Sequence, residues 1–132
     1  METRAVNPWT WQDDFGFSQA VEVSGGQRVL MCAGQTSVDE NGAPLHPGDM
    51  AAQVKQALDN LEAVLKTAGL GFANVVRLNF YTIDVDAFLA ASDEIGQRVR
   101  AAGGPAPAGT LLGVTRLAFP ELMVELEATA VA

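Results

Sequence analysis

Between Asp49 and Gly69 the apolar residues Met50, Val54, Ala57, Leu58, Leu61, Val64, Leu65 and Ala68 recur at three- and four-residue spacing. Such a stripe lies along one side of an α-helix and must be buried against something else. Asp49 is a suitable N-cap, and Gly69 ends the pattern where a left-handed residue is needed. Everything around the stripe reads differently. Ser18 to Val23 and Arg28 to Ala33 are short runs rich in β-branched and apolar residues, with Ser24-Gly-Gly-Gln27 between them as a hairpin loop, so two paired strands are expected. Asn41-Gly42 and Pro47-Gly48 punctuate the loop that leads to the helix.

Past Gly69, Val75 to Ile83 alternates as a strand does, with Val76, Leu78 and Phe80 on one face and Arg77, Asn79 and Tyr81 on the other. A second helix, capped by Asp86 and turning Phe88, Leu89, Ile95 and Val99 inward, is expected to run to Gly103-Gly104. Leu111 to Arg116 and Leu122 to Ala130 complete the set as strands. The order β-β-α-β-α-β-β predicts an α+β fold, one mixed β-sheet with two helices packed on one face. The other face, and apolar residues such as Val124 and Leu126 with their opposite neighbours, then call for a partner, so oligomerisation is expected.

The chain has 132 residues, 48% of them apolar, which suits a single domain over 1–132 with one core. Sixteen Asp and Glu against eight Lys and Arg leave a net charge of -8, which repels phosphate backbones and anionic membranes and argues against nucleic-acid and membrane partners. No apolar run reaches membrane-spanning length and Met-Glu-Thr-Arg leads into no signal segment, so a cytoplasmic protein is expected. The single cysteine, Cys32, lies in an apolar strand and reads as a buried thiol. With one histidine, His46, and no ligand spacing around it, neither a metal site nor a Ser-His-Asp triad is expected, and no cofactor is implied. Trp9 and Trp11 read as a tether of the N-terminal arm onto the sheet, since an exposed pair would be a costly apolar patch.

Two charged residues stand out in the last strand. In Val124-Glu125-Leu-Glu127-Ala128 the period of two places Glu125 and Glu127 on the same face. By residue type alone, both read as solvent-facing carboxylates. Pro107-Ala108-Gly109, followed by Glu125-Leu-Glu127-Ala128, and read with Phe17-Ser18-Gln19-Ala20 and Ala33-Gly34-Gln35, resembles the Rid/YjgF family, also called the L-PSP endoribonuclease-like family. The resemblance covers nearly the whole chain. It implies a YjgF-like, chorismate-mutase-like fold assembled as a homotrimer, with a small-molecule ligand held in clefts between subunits.

In that family a Pro-Ala-Arg motif supplies an arginine for a substrate carboxylate, and a glutamate positions or activates water. Gly109 stands at the arginine position and Glu125 at that of the glutamate, the implied catalytic residue, with Glu127 the more structural carboxylate. Phe17 replaces a tyrosine, Leu111 a frequent cysteine, and Ala33 the serine of Ser-Gly-Gln. Phe17, Gly34, Gly109, Thr110 and Leu111 are the implied substrate-binding positions. Without the guanidinium an anionic substrate meets Glu125 with no compensating cation. A hydrolase or deaminase of an imine- or enamine-like reactive metabolite, other than the usual 2-imino acids, is therefore expected, and a non-catalytic ligand-binding or regulatory trimer is the alternative. The charge balance opposes ribonuclease activity. In an apolar cleft the pKa of Glu125 is expected above its ordinary value.

Overall fold

The computed structural model describes residues 1–132. Its strands are β1 (Glu2–Val6), β2 (Ala20–Ser24), β3 (Val29–Met31), β4 (Gln35–Thr36), β5 (Val75–Thr82), β6 (Leu111–Gly113) and β7 (Val124–Val131), and its helices are α1 (Met50–Thr67), α2 (Val85–Ala91) and α3 (Asp93–Ala102). Five strands form one mixed sheet in the order β3-β7-β5-β6, with β4 also paired to β7. Strand β7 runs antiparallel to β3, β4 and β5, while β5 and β6 are parallel because α2 and α3 form the crossover between them. The α+β fold with a mixed sheet is the one expected from the sequence.

Helix α1 lies where the apolar stripe placed it. Asp49 caps it, its carboxylate accepting from the Ala52 amide at 3.0 Å. Val54, Ala57, Leu58, Leu61 and Leu65 are fully buried against Val124, Leu126, Ala128 and Ala130 of β7 and Leu78 of β5 in one core. The four alternate residues of β7 are thus covered by the helices, and the residues left for the other face are mainly polar: Glu125, Glu127 and Thr129. Only toward β3 does the bare face turn apolar, where Val29 and Met31 pair with Val131 and Thr129 and are strongly exposed.

Several expectations fail. Strands β2 and β3 do not form a hairpin with each other: β2 pairs with β1 in a separate two-stranded sheet, and β3 pairs with β7. The expected second helix is two. Asp84, not Asp86, caps α2 by accepting from the Ala87 amide at 3.0 Å, and Asp86 sits in the first turn, where a carboxylate favours the helix dipole. Ser92 then breaks the run, its hydroxyl donating back to the Leu89 carbonyl at 3.0 Å. The break re-aims the two segments so that Phe88, Ile95 and Val99 stay buried while Leu89 is exposed. The strand after the Pro-rich linker stops at Gly113, short of Arg116, and the last strand begins at Val124. Cys32 is buried, and burial pushes its thiol pKa up. Trp9 and Trp11 tether nothing by burial. Each is more than half exposed, and Trp11 stacks edge-on against Phe15 and Phe17.

Candidate functional site

The antiparallel register of β5 and β7 sets Tyr81 opposite Glu125 and Asn79 opposite Glu127, all on the face without helices. The two carboxylates, two residues apart, meet different surroundings. Glu127 accepts from the Tyr81 hydroxyl at 2.8 Å and from Nδ2 of Asn79 at 3.0 Å. These hydrogen bonds, with a smaller contribution from the Arg77 charge, hold its pKa below the ordinary carboxylate range and raise that of the Tyr81 phenol.

Glu125 has no such donors. Burial raises its pKa, and the charge of Glu127 raises it further. Its side chain lies over the chain between β3 and β4, where a Cβ at Gly34 would come 2.5 Å from the Glu125 carboxyl carbon. Gly34 is therefore the residue that gives this carboxylate its place. The pair divides into one anchored carboxylate and one unanchored carboxylate whose pKa burial raises.

The segment before β6 shows why no arginine stands at position 109. Leu78 and Phe80 donate from their amides to the carbonyls of Ala108 and Thr110 at 2.8 Å each, and Ala108 donates to the Val76 carbonyl at 3.0 Å. These bonds draw Gly109 so close to the Leu78 carbonyl that any Cβ would overlap its oxygen. Nor do the other arginines take the vacant role beside Glu125. Arg116 turns to the carbonyls of Leu117 and Ala118. Arg77 donates to the Thr110 hydroxyl at 3.3 Å, and its charge is felt by Glu127 and Tyr81 but does not contribute to the shift of Glu125.

The six residues singled out in the sequence fall into two groups. Gly34 and Glu125 are together on the bare face. Phe17, Gly109, Thr110 and Leu111 line a cavity of about 470 Å³ on the helix side of the sheet. Leu111 pairs with Phe80, whose ring packs against Phe88, so its side chain points away from Glu125. Phe17 is brought there by the neighbouring Ser18, whose amide donates to the Pro107 carbonyl at 3.2 Å. Thr110 reaches toward both groups, its amide donating to Oδ1 of Asn79 at 3.1 Å. Within one chain the six thus lie on two sides of the sheet, because parallel pairing with β5 decides which way each residue of β6 faces. Asn79 and Tyr81, the partners of Glu127, were not singled out. The alternation of β5 had placed them on one face, and the register with β7 was the missing signal.

A mixed sheet covered by helices on one face and carrying an unequal pair of carboxylates on the other defines a small α+β protein of a recognisable class. Residues 13–132 match the family described as Endoribonuclease L-PSP, and the chain belongs to this family, the Rid/YjgF family, as a divergent member without the motif arginine. It is 33% identical over 115 residues to protein DfrA of Myxococcus xanthus, covering 87% of this chain and 84% of the relative. It is 40% identical to the 2-iminobutanoate/2-iminopropanoate deaminase of Rattus norvegicus over 72 residues, 54% of this chain and only 50% of that enzyme. Among solved structures, the Rid-family protein YyfB from Yersinia pestis superposes with a TM-score of 0.89 at 39% identity, covering 100% of both chains. The YjgF gene product of E. coli superposes at 0.69 with 28% identity over 87% of each chain.

Proposed function

We propose that this protein is a small-molecule hydrolase that deaminates an imine- or enamine-like metabolite, with Glu125 as its general base and acid. The observation that carries the reading is the contrast between the two carboxylates: Glu127 is held by Asn79 and Tyr81, whereas Glu125 is unanchored with its pKa raised by burial. Ionised Glu125 takes a proton from water as the water oxygen bonds to the imine carbon. The π electrons move to nitrogen, which receives that proton. In the second half Glu125 takes the proton of the new hydroxyl as the carbonyl forms and passes it to the amine nitrogen, so that the C–N bond breaks with nitrogen leaving as ammonia. The sum is imine plus water giving carbonyl compound plus ammonia, with Glu125 unchanged.

The substrate is a neutral or amine-bearing imine, because no cation stands beside Glu125 to receive a carboxylate. The relation to a 2-iminobutanoate/2-iminopropanoate deaminase supports the reaction class and not its usual substrate. The working form is a homotrimer that encloses the bare sheet face, where strongly exposed Met31 and Val29 form an apolar margin. Light scattering should give about three times the 13.9 kDa chain mass.

The test is ammonia release from imines generated in place by an amine oxidase, compared with 2-iminobutanoate generated by an amino-acid oxidase. The protein should accelerate the neutral imine more than the acid, and Glu125→Gln should abolish the acceleration. Acceleration of neither would favour the ligand-binding alternative.

A further inference from the structure

Glu127 is held by one oxygen only. The Tyr81 hydroxyl at 2.8 Å and Nδ2 of Asn79 at 3.0 Å both donate to its Oε1, while Oε2 accepts no hydrogen bond and enters no ion pair. The direction of each donor is fixed from elsewhere. Oδ1 of Asn79 accepts from the Thr110 amide at 3.1 Å, so the NH2 group of Asn79 is the end that faces β7. Tyr81 stands across from Glu125 in the register, yet its hydroxyl reaches diagonally to Glu127. Arg77, whose charge is felt by Glu127, donates to the Thr110 hydroxyl at 3.3 Å and leaves Oε2 open.

A carboxylate fixed through one oxygen presents the other in a set direction, which is the arrangement needed to hold an N–H group. Glu127 projects from the same face as Glu125, two residues and about 6.5–7 Å along the strand. The oxygen, carbon and nitrogen of an imine taking up water bridge such a gap with a hydrogen bond at each end. We propose that Glu127 is a second catalytic residue of this site, its Oε2 accepting the N–H of the imine, with Tyr81 and Asn79 as the positioning residues that aim it. The inference rests on the reading of Glu125 given above and adds a substrate class, imines that carry hydrogen on nitrogen as opposed to N-alkyl imines. With the N–H seated on Oε2, the nitrogen lone pair turns toward Glu125, from which it receives the proton as water adds. When Glu125 passes the second proton to the amine, nitrogen gains positive charge before the C–N bond breaks, and the ionised Oε2 stabilises that charge. Glu127 itself takes no proton at any step.

The test uses the full chain and compares butan-1-imine with N-methylbutan-1-imine, made in place from butylamine and N-methylbutylamine by an amine oxidase, with butanal release as the readout for both. The native protein should accelerate the N–H imine at least about tenfold more than the N-methyl imine, the scale of a charge-assisted hydrogen bond. In Glu127→Gln the two donors claim the amide oxygen, so Nε2 replaces Oε2 and a donor meets a donor. The kcat/KM for the N–H imine should then fall at least about tenfold and that for the N-methyl imine less, so the preference collapses. Tyr81→Phe keeps the charge and removes one aiming bond, and it too should shrink the preference. A Glu127 that only supported the fold would lower both rates alike. Calorimetry with butanamidinium, a probe that presents N–H groups and does not turn over, separates this inference from the hydrolase reading, and its affinity should fall at least about tenfold in Glu127→Gln. That loss of affinity in a chain that accelerates neither imine would sustain the seat for nitrogen and overturn the hydrolase. Acceleration that Glu125→Gln abolishes, but that is equal for the two imines or keeps its preference in both Glu127→Gln and Tyr81→Phe, would overturn the role of Glu127 and sustain the hydrolase.

Discussion

Gly109 rests against the carbonyl of Leu78 with no room between them for a side chain. The family's arginine is thus not merely missing from this chain; the path of the backbone excludes it. Gly109→Arg should fail to restore activity toward 2-imino acids and should destabilise the fold by about 1–3 kcal/mol, the range typical of overpacking. Gly109→Ala, which adds only the Cβ, should show most of the same loss in a thermal melt. A stable Gly109→Arg protein with 2-iminobutanoate deaminase activity would mean that the β5–β6 pairing yields easily.

Glu125 and Glu127 should respond oppositely to replacement and to pH. The raised pKa of Glu125 means that burial penalises its ionised form, so the penalty is present above its folded pKa and fades as the carboxyl is protonated at lower pH. Glu125→Gln should therefore equal or exceed the native melting temperature near pH 8, with the advantage shrinking toward pH 5, while turnover falls by about 10²–10⁴-fold. The depressed pKa of Glu127 gives the reverse sign: its stabilising effect is complete above the ordinary carboxylate range and is lost as pH falls through its lower folded pKa. Glu127→Gln should melt earlier at neutral pH, and the deficit should close in acid. Melts of both variants from pH 3 to pH 8 check the pair.

Gly34→Ala tests placement without touching a charge. The added methyl would fall 2.5 Å from the Glu125 carboxyl carbon and 2.8 Å from its Cγ, so the side chain must swing aside. Because the obstacle is a flexible side chain and not backbone, the fold should survive with a change in stability under about 1 kcal/mol. Turnover should drop by about 10²-fold, the scale of a misplacement near 1 Å. A native rate in Gly34→Ala would show that the position of Glu125 is not critical.

Gln53 is the buried polar residue that ties α1 to the chain before β7. Its Nε2 donates to the carbonyls of His46 at 3.1 Å and Glu121 at 2.8 Å, and its Oε1 accepts from the Met123 amide at 2.8 Å. Gln53, fully buried, is the partner of the Glu121 carbonyl and the Met123 amide, which Gln53→Leu would leave unpaired, while the His46 carbonyl keeps the Asp49 amide at 3.2 Å. Each such group costs about 1–3 kcal/mol, so urea denaturation should show a loss of at least about 2 kcal/mol.

These features were unevenly legible in the sequence. Helix α1 could be read because the Asp49 cap, the apolar stripe and Gly69 agree with one another. The face of β7 carrying Glu125 and Glu127 followed from alternation alone. Strand β1 could not be read: Glu2-Thr-Arg-Ala-Val6 has almost no apolar alternation, and its residues are largely exposed and held by pairing with β2. The division of α2 from α3 turned on a single serine in an otherwise continuous pattern. At the site, sequence spacing identified the carboxylates but not their partners, because Tyr81 and Asn79 lie more than forty positions away and meet them only through register. The direction in which Leu111 points depends on a parallel pairing that no local pattern encodes.

The central place of β7 bears on how the chain acquires its structure. It follows every other element in chain order, yet β3, β4 and β5 all hydrogen-bond to it. A growing polypeptide leaving the ribosome therefore has α1 in hand, with its buried stripe, before the strand that covers it has been made. The sheet cannot close by successive addition and must assemble around its last member, with unpaired edges of β3 and β5 exposed in the meantime. Newly synthesised chains should thus depend on chaperone protection until Val131 has emerged, and mutations that slow the docking of β7 should be felt first as lost yield in the cell.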